Sequence, residues 1–303
     1  MAATTALVLG GGGMKGLAHV GVLKALHRAG IVPRLFVGTS VGAYVAALAA
    51  GGMDLREMED LALSMRRRDI LDYDWLSLLL HQGRARSLYR GKALHDFVRR
   101  TLPVDRFDDL PSPLYVTSVD LATSREVVWG MPGYREIPIH DCVVASCSLP
   151  GIYPPKKIGP FQFVDGGLVD PLPLKVATYL GADLIVAVYL DPPDRERPTD
   201  PPKTLGAMLE HSQAVLSRTL VRQSLAVHGH AARILLIQPR VAHHGLFDFD
   251  ENDSVIRAGE LATDEAIAAN PWAKEKAPAP PEGETGAGQA LETEGLTEGS
   301  GAA

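Results

Sequence analysis

The first fifty residues alternate twice between a short apolar run and a helix-like segment, and this order limits the possible folds more than any other feature of the chain. "TALVLGGGG" is typical of a buried strand that enters a glycine loop, and "KGLAHVGVLKALHRAG" has apolar residues at helical spacing. "RLFVGTS" predicts a second short strand, and the small residues from Val41 to Ala50 predict a second helix. Such short intervals favour right-handed crossovers in a mostly parallel sheet.

Further strands and helices continue this pattern along the rest of the chain. "SPLYVTSVDL" and "REVVWG" predict a strand pair, and "DCVVASCSLPGIYPP" predicts a helix that ends in a proline-rich loop. "FQFVDGGLVDPLPL" predicts a strand, a turn and the start of a helix. "ADLIVAVYLDP" and "ARILLIQP" have the composition of core strands, with a long predicted helix between them. The pattern as a whole predicts an α/β fold.

One stretch permits two interpretations. Residues 54–102 are predicted as several helices, and within them Trp75, Leu76 and residues 78–80 form an apolar group with arginines on both sides. Residues 66–86 are either a lid or membrane-surface element, or a packed connecting helix whose charges face water. The sequence leaves both interpretations open.

Length and charge limit the number of domains and the kind of partner. The chain has 303 residues, of which 46% are hydrophobic and 22% charged, and this suits one large α/β domain over residues 1–272. Most of the formal charge of −6 lies in residues 273–303, where two lysines are outnumbered by six glutamates. Because a nucleic-acid binder needs a basic face, we expect no nucleic-acid partner for the nearly neutral body.

The last residues differ in composition from the body. Residues 273–303 are rich in Gly, Pro, Glu and Ala and contain hardly any large apolar side chain. Such a segment cannot bury enough surface to offset its ordering entropy, so we expect a disordered tail.

Apolar runs and cysteines indicate the compartment. The first residues lack the basic region and the apolar core of a signal peptide, and no run approaches the roughly 18 apolar residues of a membrane span. We therefore expect a soluble, cytoplasmic protein. Cys142 and Cys147 are the only cysteines, and in a reducing compartment both are expected to be free thiols.

Ser40 has the sequence context of a catalytic nucleophile. It lies between Gly38 and Gly42 in "GTSVG", which has G-x-S-x-G spacing, after a predicted strand and before a predicted helix. This arrangement lifts a serine hydroxyl above a sheet, and the two glycines allow the chain to turn because they lack a Cβ. The free N–H groups at the start of the helix favour negative charge on a nearby oxygen.

The glycine loop "GGGGMKG" at residues 10–16 can direct several backbone N–H groups at one point, as an oxyanion requires. Two phosphate-binding alternatives fit less well. A P-loop needs Ser or Thr after its lysine, but Lys15 is followed by Gly16. Gly11, Gly13 and Gly16 match dinucleotide-binding spacing, yet the next strand, "LFVGTS", does not end in the expected acidic residue.

A nucleophilic serine needs a group that accepts its proton. None of the ten histidines lies in a recognisable motif. Asp165, in "VDGGLVDPLP", can accept the proton if it hydrogen bonds the hydroxyl and is shielded from water, because burial raises the basicity of a carboxylate. Taken alone, the Asp165 segment is also typical of a plain turn.

Four motifs in order, "GGGGMKG", "GTSVG", "ASCSLPGIYPP" and "DGG", resemble the patatin-like phospholipase family. The opening "LVLGGGGMKGLAHVGVLKALHRAGI" is similar in particular to bacterial members and to the catalytic domain of neuropathy target esterase. The resemblance covers about residues 5–270. It implies a three-layer α/β/α sandwich with a mostly parallel central sheet.

Carried over by position, the resemblance implies that Ser40 is the nucleophile and Asp165 its sole general base, a Ser–Asp dyad without histidine, cofactor or metal. The remaining implied site residues are the oxyanion-hole glycines Gly11, Gly12 and Gly13 and the supporting residues Lys15, Gly38, Gly42, Gly166 and Gly167. Lys15 stands where the family has Lys or Arg, and it is either a support near the phosphate or oxyanion, or a surface lysine at a helix start.

The resemblance favours lipid acyl esters as substrates, either phospholipid, lysophospholipid or another acyl ester, with peripheral membrane contact as an open question. Two other interpretations remain. One is a non-catalytic lipid-binding protein on the same fold. The other is a Ser-His-Asp esterase whose base is one of His211, His228, His230, His243 and His244.

Overall fold

The structure is a computed structural model and describes residues 4–73, 87–191 and 203–274. Its strands are β1 (Thr5–Leu9), β2 (Leu35–Thr39), β3 (Leu114–Asp120), β4 (Glu126–Trp129), β5 (Lys156–Ile158), β6 (Phe161–Asp165), β7 (Leu184–Val188) and β8 (Arg233–Ile237). Its helices are α1 (Ala18–Arg28), α2 (Val41–Ala50), α3 (Leu55–Ser64), α4 (Arg67–Ile70), α5 (Lys92–Thr101), α6 (Ile139–Ser146), α7 (Leu174–Tyr179), α8 (Leu205–His228) and α9 (Asn252–Ala269).

One mixed sheet forms the centre of the fold. Its hydrogen-bonded neighbours follow the path β5-β6-β3-β2-β1-β7-β8, in which β6 and β2 pair with successive parts of the same side of β3, and β4 pairs with the other side of β3. Strands β1, β2, β3, β7 and β8 are parallel, whereas β4, β5 and β6 are antiparallel to their neighbours. The predicted mostly parallel sheet is therefore confirmed, with the antiparallel strands gathered on one side.

Both faces of the sheet are covered by helices. On β1, Leu7 and Leu9 belong to a core shared with α1, α2 and α9, whereas Ala6 and Val8 belong to a second core shared with α7 and α8. Successive side chains of a strand point to opposite faces, so a strand buried on both faces is apolar throughout, as the buried part "ALVL" of β1 is. These layers confirm the predicted α/β/α sandwich.

Helix α9 packs closely on α1, and no pattern noted in the sequence had indicated α9. A Cβ on Gly21 would lie 1.9 Å from the Ile256 carbonyl oxygen, and one on Gly259 would lie 2.0 Å from that of Ala18. Only glycine permits such an approach of two helix backbones. At both positions, a glycine within a helix therefore indicates that another helix packs closely against it.

Some sequence-based expectations fall outside the described residues. Residues 74–86 are among them, and they make up most of the segment 66–86 that was predicted to be either a lid or a connecting helix. Residues 275–303 of the predicted tail also lie outside the described residues. Cys142 and Cys147 are free thiols, as predicted. Within the described ranges, no helix combines the length and apolar character needed to cross a bilayer.

Candidate active site

Ser40 occupies a sharp turn between β2 and α2. Its φ of 57° and ψ of −129° lie in a region that residues with a side chain rarely adopt, at a cost of roughly 1–3 kcal/mol. The backbone N–H of Ser40 donates to Ser146 Oγ at 2.7 Å, and its carbonyl accepts from the N–H groups of Ala43 and Tyr44. Although Ser40 is the N-cap of α2, its hydroxyl bonds none of the helix N–H groups, so it is available to other partners.

The two glycines of "GTSVG" are required by close contacts. A Cβ on Gly38 would lie 2.5 Å from the backbone nitrogen of Ala43, and one on Gly42 would lie 2.2 Å from the Leu9 carbonyl oxygen. Gly38 therefore allows the turn to close on itself, and Gly42 allows it to pack against β1.

The register of the sheet brings Asp165 next to Ser40. Thr117 of β3 pairs with both β2 and β4, and Ser118 pairs with both β4 and β6. Since a strand residue has one neighbour on each side, β2 and β6 must lie on the same side of β3, end to end. Thr39 is paired with Thr117 and Asp165 with Ser118, one residue step of about 3.3 Å along β3. The end of β2, which leads into Ser40, therefore meets the end of β6.

Asp165 is buried and is held by backbone bonds. It is 4% exposed, and its Oδ1 accepts from the Gly167 N–H at 2.8 Å. Burial raises the pKa of Asp165 to about 6, against the opposing effect of hydrogen bonds from Gly167 and from the Ser40 side chain. Such a carboxylate is a stronger base than an exposed aspartate and is still mostly ionised at neutral pH.

The Ser40 hydroxyl affects the Asp165 carboxylate electrostatically but forms no standard hydrogen bond with it. Its proximity lowers the pKa of both Asp165 and the Cys147 thiol, although burial raises each of these pKa values by more. Among the described residues, however, Ser40 Oγ forms no hydrogen bond of standard length and angle. Catalytic hydrogen bonds are often long before substrate binds. With its pKa raised, the Cys147 thiol is neutral at pH 7 and therefore a weak nucleophile.

The glycine loop passes beside Ser40, and two of its N–H groups have no acceptor among the described residues. A Cβ on Gly11 would lie 3.2 Å from that of Ser40, so the loop passes directly beside the hydroxyl-bearing residue. The Gly11 N–H donates to the Pro171 carbonyl at 3.3 Å, whereas those of Gly12 and Gly13 have no acceptor in the described part of the chain. Of the three glycines expected to form the oxyanion hole, Gly12 and Gly13 therefore have donors to offer.

The other expected supporting residues lie around this centre. A Cβ on Gly166 would lie 2.5 Å from Thr117 Oγ1, and Gly167 supplies the N–H that Asp165 accepts. Lys15 lies half-buried in the turn that follows the glycine loop, and its ammonium forms no ion pair with a described residue.

Two buried polar residues that were not predicted hold the site in place. Ser146, fully buried at the end of α6, accepts from the Ser40 N–H. His19 is fully buried on α1, and burial lowers its pKa to about 4, so its neutral Nε2–H donates to the Gly10 carbonyl at 2.9 Å. The sequence could have indicated both residues, because Ser146 lies in the motif "ASCSLP" and His19 lies just after the glycine loop.

The described histidines are not hydrogen-bonded partners of the candidate dyad. Across residues 4–73, 87–191 and 203–274, no histidine hydrogen bonds to Ser40 or Asp165. The five histidines considered as bases for a Ser-His-Asp esterase lie on α8, just after it, or beyond β8.

Comparison with known proteins identifies related sequences. The family model described as patatin-like phospholipase matches residues 7–178, more than half of the chain. An uncharacterised NTE family protein of Mycobacterium tuberculosis is 33% identical over 186 residues, which cover 61% of this chain and 49% of that protein. A protein named lysophospholipase nte1, of Emericella nidulans, is 28% identical over 84% of this chain and 17% of its own length.

A solved structure shares the fold. VipD of Legionella pneumophila superposes with a TM-score of 0.50 at 14% sequence identity, over 89% of this chain and 67% of VipD. The chain spans about half the length of the mycobacterial relatives it matches.

Proposed function

This chain belongs to the patatin-like phospholipase family, and from that premise we propose that it hydrolyses acyl esters of phospholipid or lysophospholipid through a Ser40–Asp165 dyad. One observation carries the proposal. The pairing of β2 and β6 with consecutive residues of β3 brings the strained serine turn to a buried carboxylate whose pKa is raised to about 6. A lipid hydrolase of this family needs a serine activated in this way.

The proposed reaction has two symmetrical halves. Ionised Asp165 accepts the hydroxyl proton as Ser40 Oγ attacks the ester carbonyl, and the N–H groups of Gly12 and Gly13 stabilise the oxyanion. Asp165 then returns the proton to the departing alcohol as the ester C–O bond breaks, leaving an acyl group on Ser40. A water molecule repeats these steps, releases the fatty acid and restores the hydroxyl.

The raised pKa of Asp165 suits both directions of proton transfer. With a value of about 6, the carboxylate is mostly ionised at pH 7 and can take the proton from the serine. Its protonated form is still acidic enough to give the proton to a developing alkoxide. Burial is the main cause of this pKa, so the site must stay closed to bulk water for the dyad to work.

Lys15 is the proposed contact for the lipid phosphate. It lies near the end of the glycine loop, is partly exposed, and its ammonium forms no ion pair with a described residue. An ammonium close to the oxyanion also favours the negative transition state. The relative named lysophospholipase favours a lipid with one acyl chain as substrate.

Helix α8 extends past the edge of the sheet that carries Ser40. The helix has 24 residues, about 36 Å of length, and runs antiparallel to the five-residue strand β7, which is about 17 Å long. The hydroxyl of Tyr189, just after β7, contacts Ser217 Oγ at 3.3 Å and marks the level of the strand end. Residues 205–216, about 18 Å of helix, therefore lie beyond the level of this contact.

The projecting part of α8 has an exposed apolar face. Leu209 and Leu216 are 63% and 61% exposed, one heptad apart and therefore on the same side, and Met208 and Val215 are exposed beside them. The proposed substrate lies in a lipid aggregate, and the apolar face of α8 is next to the end of the sheet where Ser40 and Asp165 lie. We therefore propose that this face contacts the lipid surface.

The direct test is lipid hydrolysis with a catalytic control. Purified protein is incubated with lysophosphatidylcholine and, separately, with phosphatidylcholine vesicles, and the released fatty acids are identified by mass spectrometry. Release by the wild type that is absent from Ser40→Ala supports the proposal. Binding of the same lipids without any release by the wild type would instead indicate a non-catalytic lipid-binding protein.

A further inference from the structure

A second cluster of polar side chains lies at the opposite end of α6 from the active site. Ser146, the last residue of α6, contacts Ser40, whereas His140 and Asp141 are near its first turn, about 9 Å away along the helix axis. His95 of α5 and Lys156 of β5 reach the same point. The hydrolytic mechanism uses none of these residues, so the cluster is independent of the proposed function.

Three potential metal ligands converge there at the spacing of a coordination sphere. His95 Nε2 and His140 Nε2 each lie 3.4 Å from Asp141 Oδ1, and the three atoms are all within 4.8 Å of one another. Zinc bonds of about 2.0–2.1 Å in tetrahedral geometry place neighbouring ligand atoms roughly 3.3 Å apart. Two of the three separations therefore match this value before any ion is added.

A carboxylate outside the cluster orients one of the imidazoles. Both oxygens of Asp105 lie within hydrogen-bonding distance of His140 Nδ1, at 2.7 and 2.8 Å, and Asp105 also accepts from the His140 backbone N–H. The proton of a neutral His140 is thereby assigned to Nδ1, and Nε2 presents its lone pair to Asp141. This carboxylate–histidine arrangement is the usual support of metal-binding histidines.

We propose that His95, His140 and Asp141 bind a Zn²⁺ ion, with the fourth position open to water. Two imidazole nitrogens and one carboxylate oxygen suit zinc, whereas Ca²⁺ and Mg²⁺ prefer oxygen ligands throughout. Lys156 Nζ, which lies 2.5 Å from Asp141 Oδ1, now supplies the positive charge that the carboxylate requires. Zinc replaces this ammonium at the same oxygen and links α5 to α6.

Another histidine pair is a poorer candidate and serves as a control. His243 and His244 are adjacent in sequence, and Glu251 completes the group. His243 and Glu251 are exposed, and the Nε2 of His244 faces the Ser254 hydroxyl at 3.4 Å rather than a carboxylate that would fix its orientation. The pair therefore lacks the support that Asp105 gives to His140.

Cobalt titration of the untagged full chain tests the proposal, because Co²⁺ replaces Zn²⁺ and shows visible absorption in low-coordinate sites. We expect one equivalent of Co²⁺ to bind with such absorption and to be displaced by Zn²⁺. His95→Gln should abolish the signal, and Asp105→Asn should weaken affinity about 10- to 100-fold. The double variant His243→Gln/His244→Gln should bind as the wild type does.

Lys156→Gln separates a metal site from a purely ionic network. It keeps all three ligands and removes the competing ammonium, so we expect it to bind Co²⁺ more tightly than the wild type. This variant also decides the matter if His95→Gln fails to fold. The proposal is overturned if the wild type and Lys156→Gln both lack the Co²⁺ signal, or if the signal survives in a folded His95→Gln protein.

Discussion

Asp165→Asn should remove hydrolytic activity and, at the same time, make the folded protein more stable. The carboxylate is 4% exposed, and burial is the main cause of its raised pKa. Asparagine has nearly the same shape and keeps a carbonyl oxygen to accept the Gly167 N–H, but it cannot ionise. The substitution therefore removes a buried charge while leaving the packing in place.

The size of the effect follows from the pKa difference between the folded and unfolded states. The pKa of Asp165 rises from 3.8 to about 6 on folding, and each unit corresponds to about 1.4 kcal/mol. Below pH 3.8 Asp165 is protonated in both the folded and the unfolded state, so its burial does not lower the free energy of unfolding relative to the variant. As pH rises through the window between the two values, the folded state loses stability relative to the variant. The variant should gain about 3 kcal/mol near pH 7.5 and about half of that near pH 5.

Urea unfolding at these two pH values measures the difference. Wild type and Asp165→Asn are compared by far-ultraviolet circular dichroism, with Asp60→Asn as a matched control, because Asp60 is exposed on α3 and its substitution should change the free energy of unfolding little. A gain that is absent, or that does not decrease toward pH 5, would refute the assignment of Asp165 as a desolvated base.

Three further results are expected. Because the base must be ionised, kcat/KM for a soluble ester should fall about tenfold per unit below pH about 6, as a pH–rate profile would show. Ser146→Ala leaves the Ser40 N–H without its acceptor, which should lower the free energy of unfolding by about 1–3 kcal/mol. The variant should also lower kcat more than it changes KM, whereas kinetics equal to those of the wild type would contradict a positioning role for Ser146. Leu209→Ser/Leu216→Ser should weaken sedimentation with phosphatidylcholine vesicles yet spare soluble-ester hydrolysis, whereas Val227→Ser, exposed at the far end of α8, should leave both unchanged.

The sequence predicted the features that depend on neighbouring residues. Strand β1, the glycine loop and α1 follow from apolar spacing and glycine placement within residues 5–30. The serine turn follows from "GTSVG", because Gly38 and Gly42 are required by contacts within the turn or with the adjacent strand. The family motifs then supplied the layered fold, which the sheet confirms.

Other features depend on pairings distant in sequence, and residue patterns do not specify these. That Asp165 meets Ser40 depends on β6 running antiparallel to β3 on the same side as β2, and nothing local to "VDGG" encodes that register. The short strand β5 becomes a strand only by pairing with β6. The His95, His140 and Asp141 cluster likewise forms only when α5 packs near α6.

Covalent labelling of the serine tests the dyad most directly. The wild type is treated with a fluorophosphonate, the adduct is located by peptide mass spectrometry, and the labelling rate is compared with that of Asp165→Asn. We expect a single adduct on Ser40, and labelling slowed roughly a hundredfold or more without the Asp165 carboxylate. An adduct on another residue, or equally fast labelling of Ser40 in Asp165→Asn, would contradict a serine activated by Asp165.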